Sequence, residues 1–188
     1  MKIRKNLLAA VPSVALFALA GFGQSLALAA GSHGGDDHHG KKAMAIGEPG
    51  EAANVSRTIE ITLGDNFFEP EALSLKKGET VRFVIRNKGD FVHEFNIGTA
   101  IMHSAHQEEM AMMMEHGAIE PDRINHDKMK MDMGGGHMMS HDDPNSVLLE
   151  PGKEAEIIWN FSSDAALEFA CNLPGHYQSG MVGNFQFN

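Results

Sequence analysis

Short runs of alternating or uniformly apolar residues, bounded by turn residues, fill most of the chain after residue 56. The pattern predicts strands at about Thr58–Leu63, Glu71–Lys76, Thr80–Asn87, Val92–Ile97, Ser146–Leu149, Glu154–Phe161, Leu167–Cys171 and Met181–Phe187. Turn sequences such as Lys77-Gly78 and Pro151-Gly152 separate them. Many short strands at this spacing indicate an antiparallel sandwich or barrel, so the predicted fold class is all-β.

The strand pattern stops between Ile97 and Ser146. Residues 102–141 contain ten of the 13 Met and six of the 11 His of the chain. A helix is predicted from Ile101 to about Glu120, where Met, Ala, Glu and Gln dominate. A mobile loop is predicted from Arg123 to Pro144, which includes Gly134-Gly-Gly136. We therefore expect one long Met/His-rich insertion, residues 101–144, that is partly helical and either functional or disordered.

The first 29 residues have the features of a secretory signal peptide. Basic residues precede an apolar run from Leu7 to about Ala20, and Ala27-Leu28-Ala29 fits a cleavage site. An uncleaved membrane anchor is the alternative, which Pro12 makes less favourable. We predict export to the periplasm, with no membrane insertion after signal cleavage.

The mature chain is divided by composition. Residues 30–55 are rich in Gly, Ala and charged residues, which predicts a flexible leader, and its histidines His33, His38 and His39 are the least supported of the candidate metal ligands. Residues 56–188 carry the strand pattern and form the predicted domain. Together, about 160 mature residues suggest one domain with extra segments.

The net charge of the chain limits the classes of molecule that it can bind. The sequence has 25 acidic and 15 basic side chains, and loss of the three basic signal residues leaves 12, a net charge of about −13. Such a surface disfavours nucleic acid and anionic membranes and favours cations, including metal ions.

The single cysteine lies in a segment with metal-binding spacing. Cys171 is followed by His176 and Met181 at intervals of five residues, and an isolated His93 lies far upstream. Two imidazoles, a thiolate and a weak thioether are the ligand set of a mononuclear electron-transfer copper site. A buried, inert cysteine is the alternative. We therefore predict one copper ion, cycling between Cu(I) and Cu(II), at these four residues.

The insertion is a second candidate metal-binding region. Thioethers two residues apart on a mobile chain could gather around Cu(I), and imidazoles would add affinity for Cu(II). For residues 101–117 the alternative is a helix whose Met side chains simply pack. The candidate ligands are Met110, Met112, Met114, Met129, Met131, Met133, His137 and His141.

The strand pattern and ligands together resemble the cupredoxins, the small blue-copper proteins. Matching segments include Phe67-Phe-Glu-Pro70, Lys77-Gly-Glu-Thr-Val81 and the Asn87-Lys-Gly89 sequence ahead of His93, followed by the Cys171 segment before the last strand. The resemblance covers about residues 56–188 without the insertion. It implies a Greek-key β-sandwich or barrel with a type 1 copper site. More narrowly, the chain resembles exported bacterial copper-tolerance cupredoxins.

One position departs from the family. Many blue-copper carriers have Asn directly after the first His ligand, where it links the two ligand loops. Here the residue is Glu94, which cannot donate the same hydrogen bonds when ionised. The surroundings of the ligands are therefore expected to differ from those of electron carriers.

Three functions are compatible with these features. The first is an exported cupredoxin that acts in copper tolerance by binding copper and changing its redox state. The second is a periplasmic electron shuttle between respiratory proteins, with a redox protein as partner. The third is a cuprous oxidase, ranked last because a lone one-electron site offers no path for four-electron oxygen reduction. The Met/His density favours the first, since a shuttle has no need of it.

Overall fold

The computed structural model describes residues 46–130, 140–163 and 165–188. The predicted signal peptide and the leader histidines lie outside these ranges, as do Met131, Met133 and His137. None of the helices in the described ranges is long and apolar enough to cross a bilayer.

Two five-stranded sheets form the framework. The first has the order β1-β8-β5-β2-β3 and the second the order β4-β10-β9-β6-β7. Pairing is parallel for β2 with β5 and for β4 with β10, and antiparallel elsewhere. The strand bounds are β1 Glu48–Pro49, β2 Arg57–Gly64, β3 Phe67–Glu69, β4 Ala72–Leu75, β5 Thr80–Asn87, β6 His93–Gly98, β7 Ser146–Leu149, β8 Glu154–Asn160, β9 Glu168–Ala170 and β10 Val182–Phe187.

Alternating side chains bury one face of each sheet, as the period of a strand requires. In β5, Val81, Phe83 and Ile85 are fully buried. Aromatic rings join the sheets: Phe83 of the first sheet lies 5.5 Å from Phe95 of the second, measured between ring centroids. This arrangement confirms the predicted all-β sandwich.

The insertion begins with a helix that packs on the second sheet. Helix α1 runs from Ala100 to Glu115 and is capped by the Thr99 side chain, which accepts a hydrogen bond from the Met102 amide. It ends earlier than the predicted Glu120, at His116 and a Gly117 with positive φ. All six residues of β6 are buried, because the sandwich core covers one face and the insertion covers the other.

The predicted flexible leader of residues 30–55 differs from the structure at its C-terminal end. Glu48–Pro49 pair with β8, and Ile46 is 1% exposed. The buried Trp159 indole N–H donates to the Ile46 carbonyl at 3.0 Å. Composition gave no sign of this contact, because a single buried Ile and a two-residue strand carry no periodicity.

Candidate metal centre

Two strands and one loop bring three of the predicted ligands together. His93 begins β6, Cys171 directly follows β9, and β6 and β9 pair antiparallel, so both residues lie at the same end of the second sheet. His176 lies in the turn that follows Cys171. The ligand atoms of these three residues all lie within 4.8 Å of one another.

Both imidazoles present Nδ1 to the sulfur. The distance from Cys171 Sγ to His176 Nδ1 is 3.3 Å, and to His93 Nδ1 it is 4.0 Å. The two rings have centroids 5.0 Å apart. His93 and Cys171 are fully buried, whereas His176 is half-buried and reaches the surface.

Met181 lies beside this cluster through its backbone. Its carbonyl accepts a hydrogen bond from the Cys171 amide at 3.1 Å, and its own amide donates to the His176 carbonyl at 3.0 Å. The Met181 side chain is fully buried. These bonds close the segment from Cys171 to Met181 into a compact loop beneath the three ligand atoms.

Asp65, which the sequence analysis did not identify, orients the His93 ring. The His93 Nε2–H donates to Asp65 Oδ1 at 2.9 Å, which leaves Nδ1 as a lone-pair donor facing the sulfur. Gly89 allows this approach, because a Cβ there would lie only 2.9 Å from His93 Nε2. A carboxylate on the far nitrogen is the usual support of a metal-bound imidazole.

The electrostatics of the cluster favour neutral groups when no metal is bound. Burial lowers the pKa of His93, an effect that the Asp65 hydrogen bond opposes. Burial and the neighbouring His93 lower the pKa of His176. Burial, with the Glu94 charge, raises the pKa of the Cys171 thiol to about 12. A metal ion must therefore displace a proton from the sulfur, and both imidazoles are ready to coordinate.

Glu94 links the two ligand strands. Its Oε2 accepts hydrogen bonds from the Asn172 amide at 3.0 Å and from Asn172 Nδ2 at 2.9 Å. Its backbone amide donates to Cys171 Sγ at 3.3 Å. The carboxylate at this position therefore acts as an acceptor, and Asn172 supplies the donors that connect the loops.

The other carboxylate oxygen of Glu94 binds two histidines. His106 Nε2 lies 2.9 Å and His141 Nε2 2.8 Å from Glu94 Oε1. Burial would raise the pKa of Glu94, but these bonds outweigh burial and hold it well below its usual range. Although burial opposes it, the hydrogen bonds that the His106 ring donates to Glu109 and Glu94 raise the pKa of His106 to about 10.

The predicted ligands of the insertion are only partly brought together. Met110 is fully buried and Met112 is 47% exposed, since residues two apart on a helix face different ways. Met114 and Met129 pack against the core. The structure therefore does not favour one ion held by Met110, Met112 and Met114. His141 instead joins the Glu94 cluster.

Comparisons with known proteins agree with this fold. Residues 42–103 match the family described as cupredoxin-like domain. A copper-resistant cuproprotein CopI of Pseudomonas aeruginosa is 53% identical over 146 residues, covering 74% of this chain and 81% of that protein. The CopI of Rubrivivax gelatinosus is 36% identical over 159 residues, covering 82% of each chain.

A solved structure supports the architecture alone. Auracyanin B superimposes with a TM-score of 0.53 at 18% identity, covering 76% of this chain and 96% of that chain. At this identity the likeness concerns the sandwich and not the chemistry. The extent and identity of the CopI matches decide the family. This chain belongs to the CopI family of cupredoxins.

Proposed function

We propose that this protein binds copper through His93, Cys171 and His176, with Met181 as a weak fourth ligand, and acts in copper tolerance in the periplasm. The observation that carries the proposal is the convergence of two imidazole Nδ1 atoms on the sole, buried thiol. The donor set fits copper, because the soft thiolate suits Cu(I) and imidazole suits both oxidation states. Copper bound there would supply a one-electron couple.

The surrounding residues prepare the centre for that ion. Asp65 fixes the tautomer and orientation of His93, and the Glu94 amide donates to the sulfur. Burial of His93 and Cys171 excludes water from the sulfur side. A pre-formed cradle of this kind holds the same ligands near one geometry in both oxidation states, which favours rapid electron transfer.

Copper tolerance is supported by the relatives and by the insertion. Three relatives are named copper-resistant cuproproteins. The sequence of residues 102–141 supplies many Met and His donors. We propose that Met131, Met133 and His137 capture Cu(I), while the buried centre binds copper and changes the oxidation state of that copper.

Growth of a strain without its own copy of the gene tests the proposal. Wild type should restore growth at raised copper concentration, whereas Cys171→Ala should not, at equal protein level. Ser104→Ala, an exposed substitution on α1, serves as the matched control. Full restoration by Cys171→Ala would contradict the proposal.

An electron shuttle is the second candidate, and the surface at His176 favours it. Phe91 is 47% exposed and lines an apolar hollow with Pro174 and the His176 ring. A redox protein docked there would lie close to the ligand. If the protein is a shuttle, Phe91→Ser should slow electron exchange with the partner and leave copper tolerance intact. If it acts in tolerance without a partner, the substitution should change neither property.

A further inference from the structure

Three potential ligand atoms from three separate elements meet behind the candidate copper centre. Glu94 lies on β6, His106 on α1, and His141 in the segment before β7. His106 Nε2 and His141 Nε2 lie 2.9 and 2.8 Å from Glu94 Oε1 and 3.4 Å from each other. None of these atoms belongs to the His93 and Cys171 cluster.

The three side chains are buried, and Glu94 Oε1 has more polar neighbours than its hydrogen-bonding capacity requires. The exposed side-chain fractions are 0% for Glu94, 11% for His106 and 2% for His141. Ser146 Oγ and Asn96 Nδ2 also lie 2.7 and 3.1 Å from the same Oε1. Four polar neighbours therefore surround one oxygen, which has two lone pairs.

The distances within the group match the edges of a metal coordination shell. Neighbouring ligands that bind an ion at about 2.0–2.1 Å lie about 2.9–3.4 Å apart in square-planar or tetrahedral geometry. The three distances agree with that range to within about 0.1 Å. In addition, Glu109 Oε2 lies 2.7 Å from His106 Nδ1, the carboxylate support that metal-bound histidines usually have.

We propose that Glu94, His106 and His141 form a second metal site, selective for a divalent transition-metal ion and tightest for Cu(II). Two imidazoles and a carboxylate suit Cu(II) and Zn(II), and Cu(II) binds most strongly of the first-row divalent ions at such sites. The set contains no sulfur, so the metal ion that it prefers differs from the one that the thiolate centre prefers. The inference goes beyond the proposed function, because it does not require copper at Cys171.

Glu94 would connect the two centres. It directly follows His93, and its Oε2 accepts the amide of Asn172, which directly follows Cys171. An ion on Oε1 would draw charge from this carboxylate and so change the hydrogen bonds around Cys171. Filling the second site should therefore shift the absorption of the first slightly without removing it.

The competing explanation is a purely structural network in which protonated histidines neutralise Glu94. Titration of the full-length, metal-free protein with copper(II) sulfate separates the two, followed by electron paramagnetic resonance and metal analysis. We expect a second Cu(II) signal with hyperfine coupling to two imidazole nitrogens and no intense visible band. His106→Ala/His141→Ala should remove one Cu(II) per chain and keep the thiolate band. The matched control is His116→Ala, an exposed histidine at the end of α1.

Conservative variants keep the test decisive if the double alanine variant does not fold. His106→Gln and His141→Gln each retain a donor for Glu94, and each should weaken the second Cu(II) at least about 100-fold, since loss of an orienting partner alone costs about 10–100-fold. Absence of the second signal in wild type, or its persistence at unchanged affinity in these variants, would overturn the proposal. Cys171→Ala should lose the thiolate band and keep the second Cu(II) signal, because the second site does not require copper at Cys171.

Discussion

At the scale of single residues, Glu94 has the largest influence on the architecture of the site. A carboxylate after the first ligand was expected to alter the link between the ligand loops, because it cannot donate. The link is present with exchanged roles: Asn172 donates twice and Glu94 accepts. The cost of burying this charge is offset by His106, His141 and Ser146.

Glu94→Gln is predicted to destabilise the metal-free protein by about 3 kcal/mol, because His106 and His141 lose the charge that they bind and the new amide N–H group faces groups that already donate. Urea unfolding measures the change. The control is Glu108→Gln, an exposed residue on α1, which should change the free energy of unfolding by less than about 0.5 kcal/mol. Equal effects of the two substitutions would contradict the role assigned to Glu94.

Met181→Leu is predicted to keep a coloured Cu(II) centre and to raise its reduction potential. A weak axial thioether contributes little to the affinity for copper, but it stabilises Cu(II) relative to Cu(I). Its loss therefore favours Cu(I). Visible spectroscopy and redox titration of the copper-loaded protein provide the measurement. If this change alone released all bound copper, Met181 would be a principal ligand and not an axial one.

At the scale of elements, side-chain alternation predicted the strands that carry long apolar patterns. Thr80–Asn87 and Ser146–Leu149 have the predicted bounds. In Thr80–Asn87 alternating apolar residues face the core, and in Ser146–Leu149 the last residue, Leu149, is buried. Two short strands, Glu48–Pro49 and Phe67–Glu69, were not predicted from side-chain alternation, although the family resemblance matched Phe67-Phe-Glu-Pro70 to an early strand. Glu48–Pro49 pairs with the distant strand β8, which a local pattern cannot report, whereas Phe67–Glu69 forms a hairpin with the preceding strand β2.

The candidate site was predicted only where its residues share a recognisable spacing. His93, Cys171, His176 and Met181 follow from ligand chemistry and the family resemblance, and whether they bind copper stays a prediction. Asp65 and the pairing of Glu94 with His106 gave no local signal, since tertiary contacts bring them together across 28 and 12 residues. A lone carboxylate inside the predicted strand Val92–Ile97 was the one hint of buried polar partners.

Ile46→Ala is predicted to lower the free energy of unfolding by about 2–4 kcal/mol, because it removes a buried side chain of the hydrophobic core. Denaturant unfolding followed by Trp159 fluorescence measures it. Ile101→Ala is the matched control, since Ile101 is 83% exposed and little should change. No effect at Ile46 would support a flexible leader that extends through residue 55.

At the scale of the whole molecule, the parts of the insertion that the structure describes belong to the packed domain. Met110 and Met113 of α1 belong to the hydrophobic core, and His106 and His141 bind the buried Glu94. Deleting residues 101–144 would uncover the core and leave Glu94 without these partners. The role of the insertion in copper capture is therefore better tested by substitution.

Replacing Met131 and Met133 with Leu and His137 with Gln is predicted to lower the number of Cu(I) ions bound per chain by at least one. The changes remove soft donors and keep the length of the segment. Competition titration against a Cu(I) chelator gives the count, and an unchanged thiolate–Cu(II) band serves as the internal control. An unchanged count would remove these residues from the proposed capture of Cu(I).

The most direct test of the copper centre is the visible spectrum of the Cu(II)-loaded protein with and without its thiol. Wild type should bind one Cu(II) with an intense thiolate-to-copper absorption, and Cys171→Ala should lose that absorption entirely. His176 and His93 remain in the variant, so any copper that stays bound should show only weak absorption. An unchanged intense band in Cys171→Ala would contradict the assignment of the centre.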